Sequence, residues 1–318
     1  MKMKNKQDET RILGYNKRSV YIAIAIVVML IVLTGFFLYR SPSRPIQPKA
    51  AIIDQLSSSE LTPTSRYINE AFIEAAKDML YRRFPEVDYY SDNATVDRYK
   101  SLPSLGYRLI IWRAHSALDE DYFIAISSSE MCDPQNYPQK YNQYSSDQLT
   151  LCNITGDPNL YFAITPKFVE ECMSGRFEDT VVVLMSCNGL KERYTKTAQA
   201  FIEKGVKAFI SWDGWIDSAS NDHAITLLLD YLIDKNNTIG EAVHKTPSYS
   251  SEPYGRSTLD YYPRPGVANY CIPNYREANT VNNARPAVIT VFSRAKSESK
   301  CAFQPRISPN QNTMKPIL

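Results

Sequence analysis

The sequence lacks the short motifs that mark several common chemistries. It contains no HExxH, GxSxG, GxGxxG or Walker-type segment, so it gives no support for a zinc peptidase, a serine hydrolase, a dinucleotide-binding domain or a P-loop nucleotide hydrolase. Histidine is also scarce, and the three histidines are dispersed, which does not favour a structural zinc site. We therefore expect no metal and no cofactor.

Charge of one sign is not in excess either. The 318 residues carry a formal net charge of +2. A nucleic-acid-binding surface requires a clustered basic patch, so this balance gives no reason to expect a nucleic-acid partner. The length accommodates one sizeable domain with appendages, or two small domains.

The most prominent feature that is present is an uncharged apolar run, residues 20–39 (VYIAIAIVVMLIVLTGFFLY). A helix needs roughly 20 such residues to cross the hydrocarbon core of a bilayer. A buried core helix of this length would normally have a polar face. A cleaved signal peptide would have a shorter apolar run, of about 7–15 residues, and a small-x-small cleavage site. We predict a transmembrane helix over 20–39 in contact with the lipid bilayer, and both alternatives stay open.

Flanking charge predicts the orientation of this helix. More cations precede the run than follow it: Lys2, Lys4, Lys6, Arg11, Lys17 and Arg18 lie before it, and Arg40, Arg44 and Lys49 lie after it. Because cytoplasmic flanks carry the excess of Lys and Arg, residues 1–19 are predicted to be a cytoplasmic basic segment. Residues 40–49 are Pro-rich and are predicted to form a semi-rigid linker to an extracytoplasmic domain.

Two further features are compatible with a location outside the cytoplasm. Asn93, Asn153 and Asn236 each begin an Asn-x-Thr sequon and are candidate glycosylation sites. The six cysteines could form disulfides in an oxidising compartment. Two candidate pairs flank a polar loop and the last predicted strand; these are Cys132 with Cys152, and Cys271 with Cys301.

Apolar runs and helical periodicity alternate along residues 50–301. Strands are predicted at 50–54, 87–90, 107–115, 122–127, 160–164, 180–187, 206–212 and 286–293. Between them, helical patterns end near residues 80, 102, 173, 205, 234 and 245. This alternation predicts an α/β domain with a doubly wound, mostly parallel sheet. Residues 119–163 are predicted to be a hairpin or insertion with a mobile loop, residues 247–285 mostly loop, and residues 302–318 a disordered tail.

Candidate chemistry lies just past the strand ends, where sites form in parallel sheets. His115 follows the strand LIIW, Cys187 follows VVVLM, and Asp54 ends the first strand. A thiolate is a strong nucleophile, and a neighbouring imidazole can accept its proton and protonate a leaving amine. The backbone N–H groups of Asn188 and Gly189 could form part of an oxyanion hole.

The stretch VVVLMSCNGL followed by TKTAQAFIEKGVKAFISWDGWIDSASNDHAITLLLDYLIDKNNTIGEAV resembles a CHAT domain of the caspase-like cysteine peptidases, a group that includes gingipain and clostripain. Those proteins place a histidine after one strand and a cysteine after the next parallel strand. The resemblance covers residues 181–243 closely and the rest of the α/β domain loosely. It rests on the order of elements more than on one short pattern.

The resemblance implies that Cys187 is the nucleophile and His115 the general base or acid of a dyad that cleaves a peptide or protein substrate through a thioester. Three departures stand against it. Ser116 replaces the glycine that usually follows the histidine at the oxyanion site, Ser186 replaces an acid that some relatives carry, and residues 119–163 lengthen the connection. These departures leave open a catalytically silent relative that serves as a binding or scaffold module. A hydrolase or transferase of other specificity also stays open.

Each candidate has a simpler alternative. Cys187 could be a small core residue at the end of an apolar strand. Asp54 could orient His115 or bind a cationic substrate, but a capping or solvated role is as compatible with the sequence. Asp213 and Asp217, on either side of the Trp212–Trp215 turn, could recognise Arg or Lys, although carboxylates are common in loops.

Overall fold

The computed structural model describes residues 17–39, 47–62, 66–133 and 138–276. The chain divides into two compact units, Met1–Ile46 and Gln47–Leu318. In the first unit, helix α1 runs from Lys17 to Tyr39, and its described side chains, from Val20 to Val32, are exposed. Within the described part of the chain, no helix is both long and apolar enough to cross a membrane.

The second unit contains all of the described strands. In chain order they are β1 (Lys49–Asp54), β2 (Val87–Tyr90), β3 (Tyr107–Arg113), β4 (Ser116–Leu118), β5 (Ile124–Met131), β6 (Leu149–Asn153), β7 (Leu160–Ile164), β8 (Thr180–Met185), β9 (Val206–Trp212), β10 (Tyr249–Ser251), β11 (Gly255–Ser257) and β12 (Leu259–Tyr262).

Six of these strands form the central sheet, in the order β12-β9-β8-β3-β1-β2. Every neighbouring pair is parallel except β12 and β9, which are antiparallel. The inner strands are buried along nearly their whole length, as their uninterrupted apolar sequences require, because both faces of a parallel sheet are covered. The prediction of a mostly parallel sheet in an α/β domain is confirmed.

Helices pack on both faces of this sheet. They are α2 (Glu70–Tyr81), α3 (Val96–Ser101), α5 (Pro166–Glu171), α6 (Lys196–Glu203), α7 (Ser218–Leu229) and α8 (Ile239–Lys245). Helix α4 (Pro138–Ser145) lies against β6 instead. Apolar side chains of α2, α7 and α8 join one core cluster, which we call the first face. Those of α3, α5 and α6 join the cluster on the opposite, second face.

The interpretation of residues 119–163 as a hairpin or insertion with a mobile loop was incomplete. This region, together with β4, forms a four-stranded antiparallel sheet in the order β4-β5-β7-β6. The polar stretch includes helix α4, where the Lys140 ammonium pairs with the buried carboxylate of Glu130. The strands predicted at 122–127 and 160–164 correspond to β5 and β7, which pair antiparallel. The strands β4 and β6 and helix α4 were not predicted, because they are short or polar and carry no sustained apolar periodicity.

The interpretation of residues 247–285 as mostly loop missed three short strands. β10 and β11 form an antiparallel hairpin, and β12 adds to the edge of the central sheet by pairing with β9. Each is short and carries no apolar alternation of its own, so pairing rather than periodicity defines it. The predicted strand at 286–293 and the predicted tail at 302–318 lie outside the described residues, as does most of the predicted linker.

The predicted disulfide between Cys132 and Cys152 is wrong, because both cysteines are free. The backbone N–H of Cys132 donates to Leu160 at one edge of β7, whereas Cys152 pairs with Tyr161 across the other edge. Two interstrand spacings, about 10 Å, separate such positions, and a disulfide requires Cα atoms within about 7 Å. Cys271 is disulfide-bonded, and Cys301 lies outside the described residues.

Candidate active site

The ends of β3 and β8 bring two candidate catalytic residues to one rim of the central sheet. The two strands are adjacent and parallel, with Arg113 paired to Met185. Beyond that pair, Ala114 N–H donates to the Met185 carbonyl (3.4 Å) and the Ser116 hydroxyl donates to the Cys187 carbonyl (2.6 Å). Both neighbours of His115 are thus bonded to the segment that ends in Cys187.

The two side chains also belong to the same face of the sheet. On extended backbone, residues two apart point to the same side. Met185 is part of the first-face core, and Cys187 packs against that core. On the neighbouring strand, Arg113 binds Asp222 of α7, a first-face helix, and His115 lies two residues further on. The two residues therefore lie at one rim of the sheet. The parity of β3, continued to His115, assigns the imidazole to the side on which Cys187 packs.

His115 is held by its backbone and by one ring contact. Its N–H donates to Gln55 Oε1 (3.0 Å), and its carbonyl accepts from Ser127 N–H (3.0 Å). The Tyr67 ring meets the imidazole edge-on, with 5.5 Å between centroids. Nε2 is buried and has no hydrogen-bond partner among the described residues. Nε2 therefore makes no hydrogen bond to the Cys187 sulfur in this geometry.

The electrostatic environment keeps this imidazole neutral. Burial, and in second place the charge of Arg113, lower the pKa of His115 to about 4. At neutral pH the ring is therefore uncharged and can accept a proton, as a general base must. It does not supply the positive charge that stabilises a resting thiolate.

The sulfur of Cys187 lies against the loop that joins β9 to α7. Sγ is 3.4 Å from the Ile216 carbonyl oxygen and 3.5 Å from the Ile216 nitrogen. Burial, opposed by the Ile216 hydrogen bond and reinforced by the Asp217 charge, raises the pKa of the Cys187 thiol. The residue is half-buried. The resting pair is thus a thiol and a neutral imidazole, and nucleophilic attack needs proton transfer at the time of the reaction.

Of the residues predicted at the oxyanion site, Asn188 and Ser116 are already engaged by other groups. Asn188, which has a positive φ of 60°, donates its N–H to the Gly214 carbonyl (2.8 Å). The Ser116 hydroxyl is engaged by the Cys187 carbonyl. The prediction that the Asn188 N–H is available as an oxyanion donor is therefore wrong for this geometry, because the turn after β8 uses it to bind the loop after β9.

Only glycine is accommodated at position 189, because the backbone there lies very close to β9. A Cβ at this position would lie 2.0 Å from Ser211 Oγ on β9, so the turn after Cys187 approaches the neighbouring strand too closely for a side chain. Within the described chain, the Gly189 N–H makes no hydrogen bond. It remains the candidate oxyanion donor on this turn.

Asp54 is neither a substrate-binding nor a capping residue. It is fully buried, and Oδ1 accepts from Arg113 Nη1 at 2.9 Å. Tyr89 donates to its second oxygen (3.3 Å). The same Arg113 side chain binds Asp222 through Nε (2.8 Å). The predicted substrate-binding, capping and solvated roles of Asp54 are wrong, because its carboxylate is buried against Arg113. Arg113 is 59 positions away, and local patterns do not reveal such a pairing.

Asp213 and Asp217 have different roles at the rim. Asp213 is exposed, and its Oδ1 accepts from Thr258 N–H (2.6 Å), which connects the end of β9 to the chain before β12. Asp217 caps α7 by accepting from Ser220 N–H (2.9 Å). Burial acts to raise the Asp217 pKa, but the hydrogen bonds from Ser220 lower it overall. Asp217 is therefore an anion close enough to the sulfur to affect its titration.

Two aromatic features of this rim were not predicted from the sequence. One is Tyr67, described above. The other is a stacked pair, Trp215 and Tyr254, with 4.7 Å between centroids and 24° between ring planes. Tyr254 lies between β10 and β11 and is 63% exposed. Single aromatic residues in loops form no periodic pattern; only the proximity of Trp215 to the strand end at Trp212 could have drawn attention to it.

The three sequons also differ in their surroundings. Asn93 and Asn153 are exposed. Asn236 accepts a hydrogen bond from Arg83 Nη1 (2.9 Å), and the hydroxyl of its sequon residue Thr238 caps α8. The first two are open to modification, whereas the third is engaged in the fold.

Comparison of the sequence with protein-family models and with curated proteins finds no match in either. Among the residues whose placement is described, no cluster of three or more His, Cys, Asp or Glu side chains is arranged to hold a metal ion.

Proposed function

We propose that this chain is a caspase-like cysteine endopeptidase in which Cys187 is the nucleophile and His115 the general base. One observation carries the proposal: residues 114–116 and 185–187 are hydrogen-bonded at the ends of adjacent parallel strands, with both candidate side chains on one side of the sheet. The strand order, with one antiparallel edge strand, is compatible with the resemblance to caspase-like domains.

In the proposed reaction, His115 accepts the Cys187 thiol proton as the sulfur attacks the peptide carbonyl carbon. The carbonyl π electrons move to oxygen and form an oxyanion, for which the Gly189 N–H is the proposed donor. When the intermediate collapses, the C–N bond breaks and the amine leaves with the proton from His115. Water, deprotonated by His115, then attacks the thioester, and the acid product leaves as Sγ recovers its proton.

The substrate would bind along the loop after β9. Asp217 is a candidate partner for a cationic substrate side chain, because it is ionised and close to the sulfur. Asp213 is a weaker candidate, since its Oδ1 is bonded to Thr258. The Trp215–Tyr254 pair offers an exposed aromatic surface at the same loop, suited to an apolar substrate group.

We also propose that residues 20–39 anchor the protein in a bilayer, with the N-terminus cytoplasmic and the α/β domain outside. The uncharged run and the exposed apolar side chains of α1 support this. Expression in a glycosylating secretory host tests it. An extracytoplasmic domain should gain glycans that disappear in Asn93→Gln and Asn153→Gln. An unmodified protein after full membrane insertion would contradict the orientation.

A silent scaffold is the second candidate, and specific observations favour it. The Cys187 pKa is raised, and the Ser116 hydroxyl and Asn188 N–H are both engaged. A silent domain would use the same rim as a binding surface. It would show no hydrolysis that depends on Cys187.

A peptide-library cleavage assay on the full-length chain in lipid nanodiscs separates the two candidates. Cys187→Ala should abolish cleavage, and Cys172→Ala, which removes another half-buried thiol, should leave it unchanged. Cleavage that survives in Cys187→Ala, or no cleavage by the wild type, would refute the peptidase proposal.

A further inference from the structure

A loop between β1 and α2 covers one side of His115. Its last part carries Tyr67, whose ring meets the imidazole at an interplanar angle of 67°. The beginning of the same loop carries Gln55, which accepts from the His115 N–H. The loop therefore contacts both the ring and the backbone of His115.

The backbone of Tyr67 is fixed by two hydrogen bonds. Its N–H donates to the Leu56 carbonyl (3.2 Å), and its carbonyl accepts from Arg113 Nη2 (2.7 Å). The next residue but one, Asn69, caps α2 through its side-chain oxygen and donates through its nitrogen to Asp222 (2.9 Å). Tyr67 thus has a defined position although its side chain is 36% exposed.

Arg113 connects this loop to the rest of the rim. The guanidinium is 1% exposed and reaches the end of β1 through Asp54, helix α7 through Asp222, and the Tyr67 carbonyl. A buried ion pair adds little net stability compared with apolar packing, so its geometric effect matters more. Here that effect is to hold three chain segments around His115.

We propose that Tyr67 is a positioning residue for His115: Arg113 holds the Tyr67 backbone, and the Tyr67 ring fixes the imidazole and shields one side of it from solvent. The inference rests on the proposed function, in which His115 is the base. Tyr67 would then be the residue that sets the orientation and protonation state of His115.

The groups that face His115 define the expected effect on its titration. Arg113 precedes it on the same chain segment, and Tyr67 contacts its ring from the β1–α2 side. Asp54 and Asp222 are paired with Arg113. Arg113 is the charge that lowers the pKa of His115, and its pairing with two carboxylates limits that effect. Since burial is the larger cause, removing the Tyr67 ring should raise the pKa of His115 toward its ordinary value.

Titration of the histidine rings by NMR in full-length protein tests this directly. The chain has three histidines, so His115→Gln identifies the resonance of interest. Tyr67→Ala should raise the His115 pKa by about one unit, a tenfold gain in proton affinity. Tyr67→Phe keeps the ring, so the pKa of His115 in this variant should equal the wild-type value. Tyr67→Ser, which also removes the ring and should raise the His115 pKa in the same way, serves if the alanine variant fails to fold.

The alkylation rate of Cys187 by iodoacetamide gives a second readout. Near pH 5 it should fall about twofold in Tyr67→Ala, because a pKa raised from about 4 to about 5 lowers the neutral fraction of the imidazole from about nine-tenths to about one half. In Tyr67→Phe the rate should equal that of the wild type. An unchanged His115 pKa in Tyr67→Ala, or equal shifts in the alanine and phenylalanine variants, would overturn the proposal. The peptidase proposal fails separately if the wild-type protein shows no cleavage that depends on Cys187. The His115 titration can still be measured in that case, so the two proposals are tested independently.

Discussion

The hydroxyl of Ser116 donates a 2.6 Å hydrogen bond to the carbonyl of Cys187. The residue after the candidate base is therefore bonded directly to the candidate nucleophile's backbone. This bond joins the two strand ends beyond the last regular pair of the sheet. It also means that the serine found where caspase-like domains usually have glycine has a structural role of its own.

Ser116→Ala should destabilise the domain by about 1–2 kcal/mol, because it removes the donor from a half-buried carbonyl. Urea unfolding measures the change in free energy. Ser104→Ala is the matched control, since its hydroxyl makes a bond of similar kind in an exposed turn. Its loss should cost less than about 0.5 kcal/mol. Equal effects at the two sites would show that the Ser116 bond does not stabilise the rim.

Gly189→Ala should destabilise the domain by about 1–3 kcal/mol, because the new Cβ would meet Ser211 Oγ at 2.0 Å. Thermal or urea unfolding gives the value. Gly266→Ala is the control, since its added Cβ would approach only Pro263, at 4.0 Å. In the double variant Gly189→Ala/Ser211→Gly, the loss should be smaller than the sum of the single changes. Strict additivity would contradict the clash.

Arg113→Met should cost about 3–5 kcal/mol of unfolding free energy, because it leaves the buried carboxylates of Asp54 and Asp222 unpaired. The comparison is Arg82→Met, which removes an exposed partner of Asp234. That change should cost about 0–1 kcal/mol. Similar losses in the two variants would mean that the Arg113 network is not buried in solution.

The free energy of unfolding should fall as the pH decreases from 6.5 toward 4. A histidine in the unfolded chain has its ordinary pKa of 6.5, whereas the pKa of His115 in the folded protein is about 4. Between these values the unfolded state binds more protons, so acid favours unfolding. Comparing urea unfolding of wild type and His115→Gln at pH 7 and at about pH 4.5 measures this contribution. The variant should lose less stability on acidification; an identical loss would contradict the buried neutral imidazole.

Regular apolar patterns made the centre of the fold predictable from the sequence. The strands β3, β8 and β9 were identified because strands buried on both faces are apolar throughout. Parallel strands end at the same edge of a sheet, so the predicted topology already put His115 and Cys187 at one rim. The candidate dyad follows from strand periodicity and topology alone.

The surroundings of the dyad could not be predicted in the same way. Asp54 is paired with Arg113, and the Tyr67 ring contacts His115 although 48 positions separate the two residues in the sequence. Such contacts depend on how loops close in space, which local patterns do not specify. Of the second sheet, β5 and β7 were predicted, whereas β4, β6 and helix α4 were not, because they are short or polar. Helix α4, for example, is held by the pair of Lys140 with Glu130.

The most direct test of the central claim is the rate at which a peptidyl acyloxymethyl ketone modifies Cys187 in full-length protein. If His115 is the base for this thiol, His115→Ala should slow modification of Cys187 about 100-fold or more. The rate at Cys172, measured in the same digest by mass spectrometry, should not change. Modification of Cys187 at the same rate in wild type and His115→Ala would contradict the account.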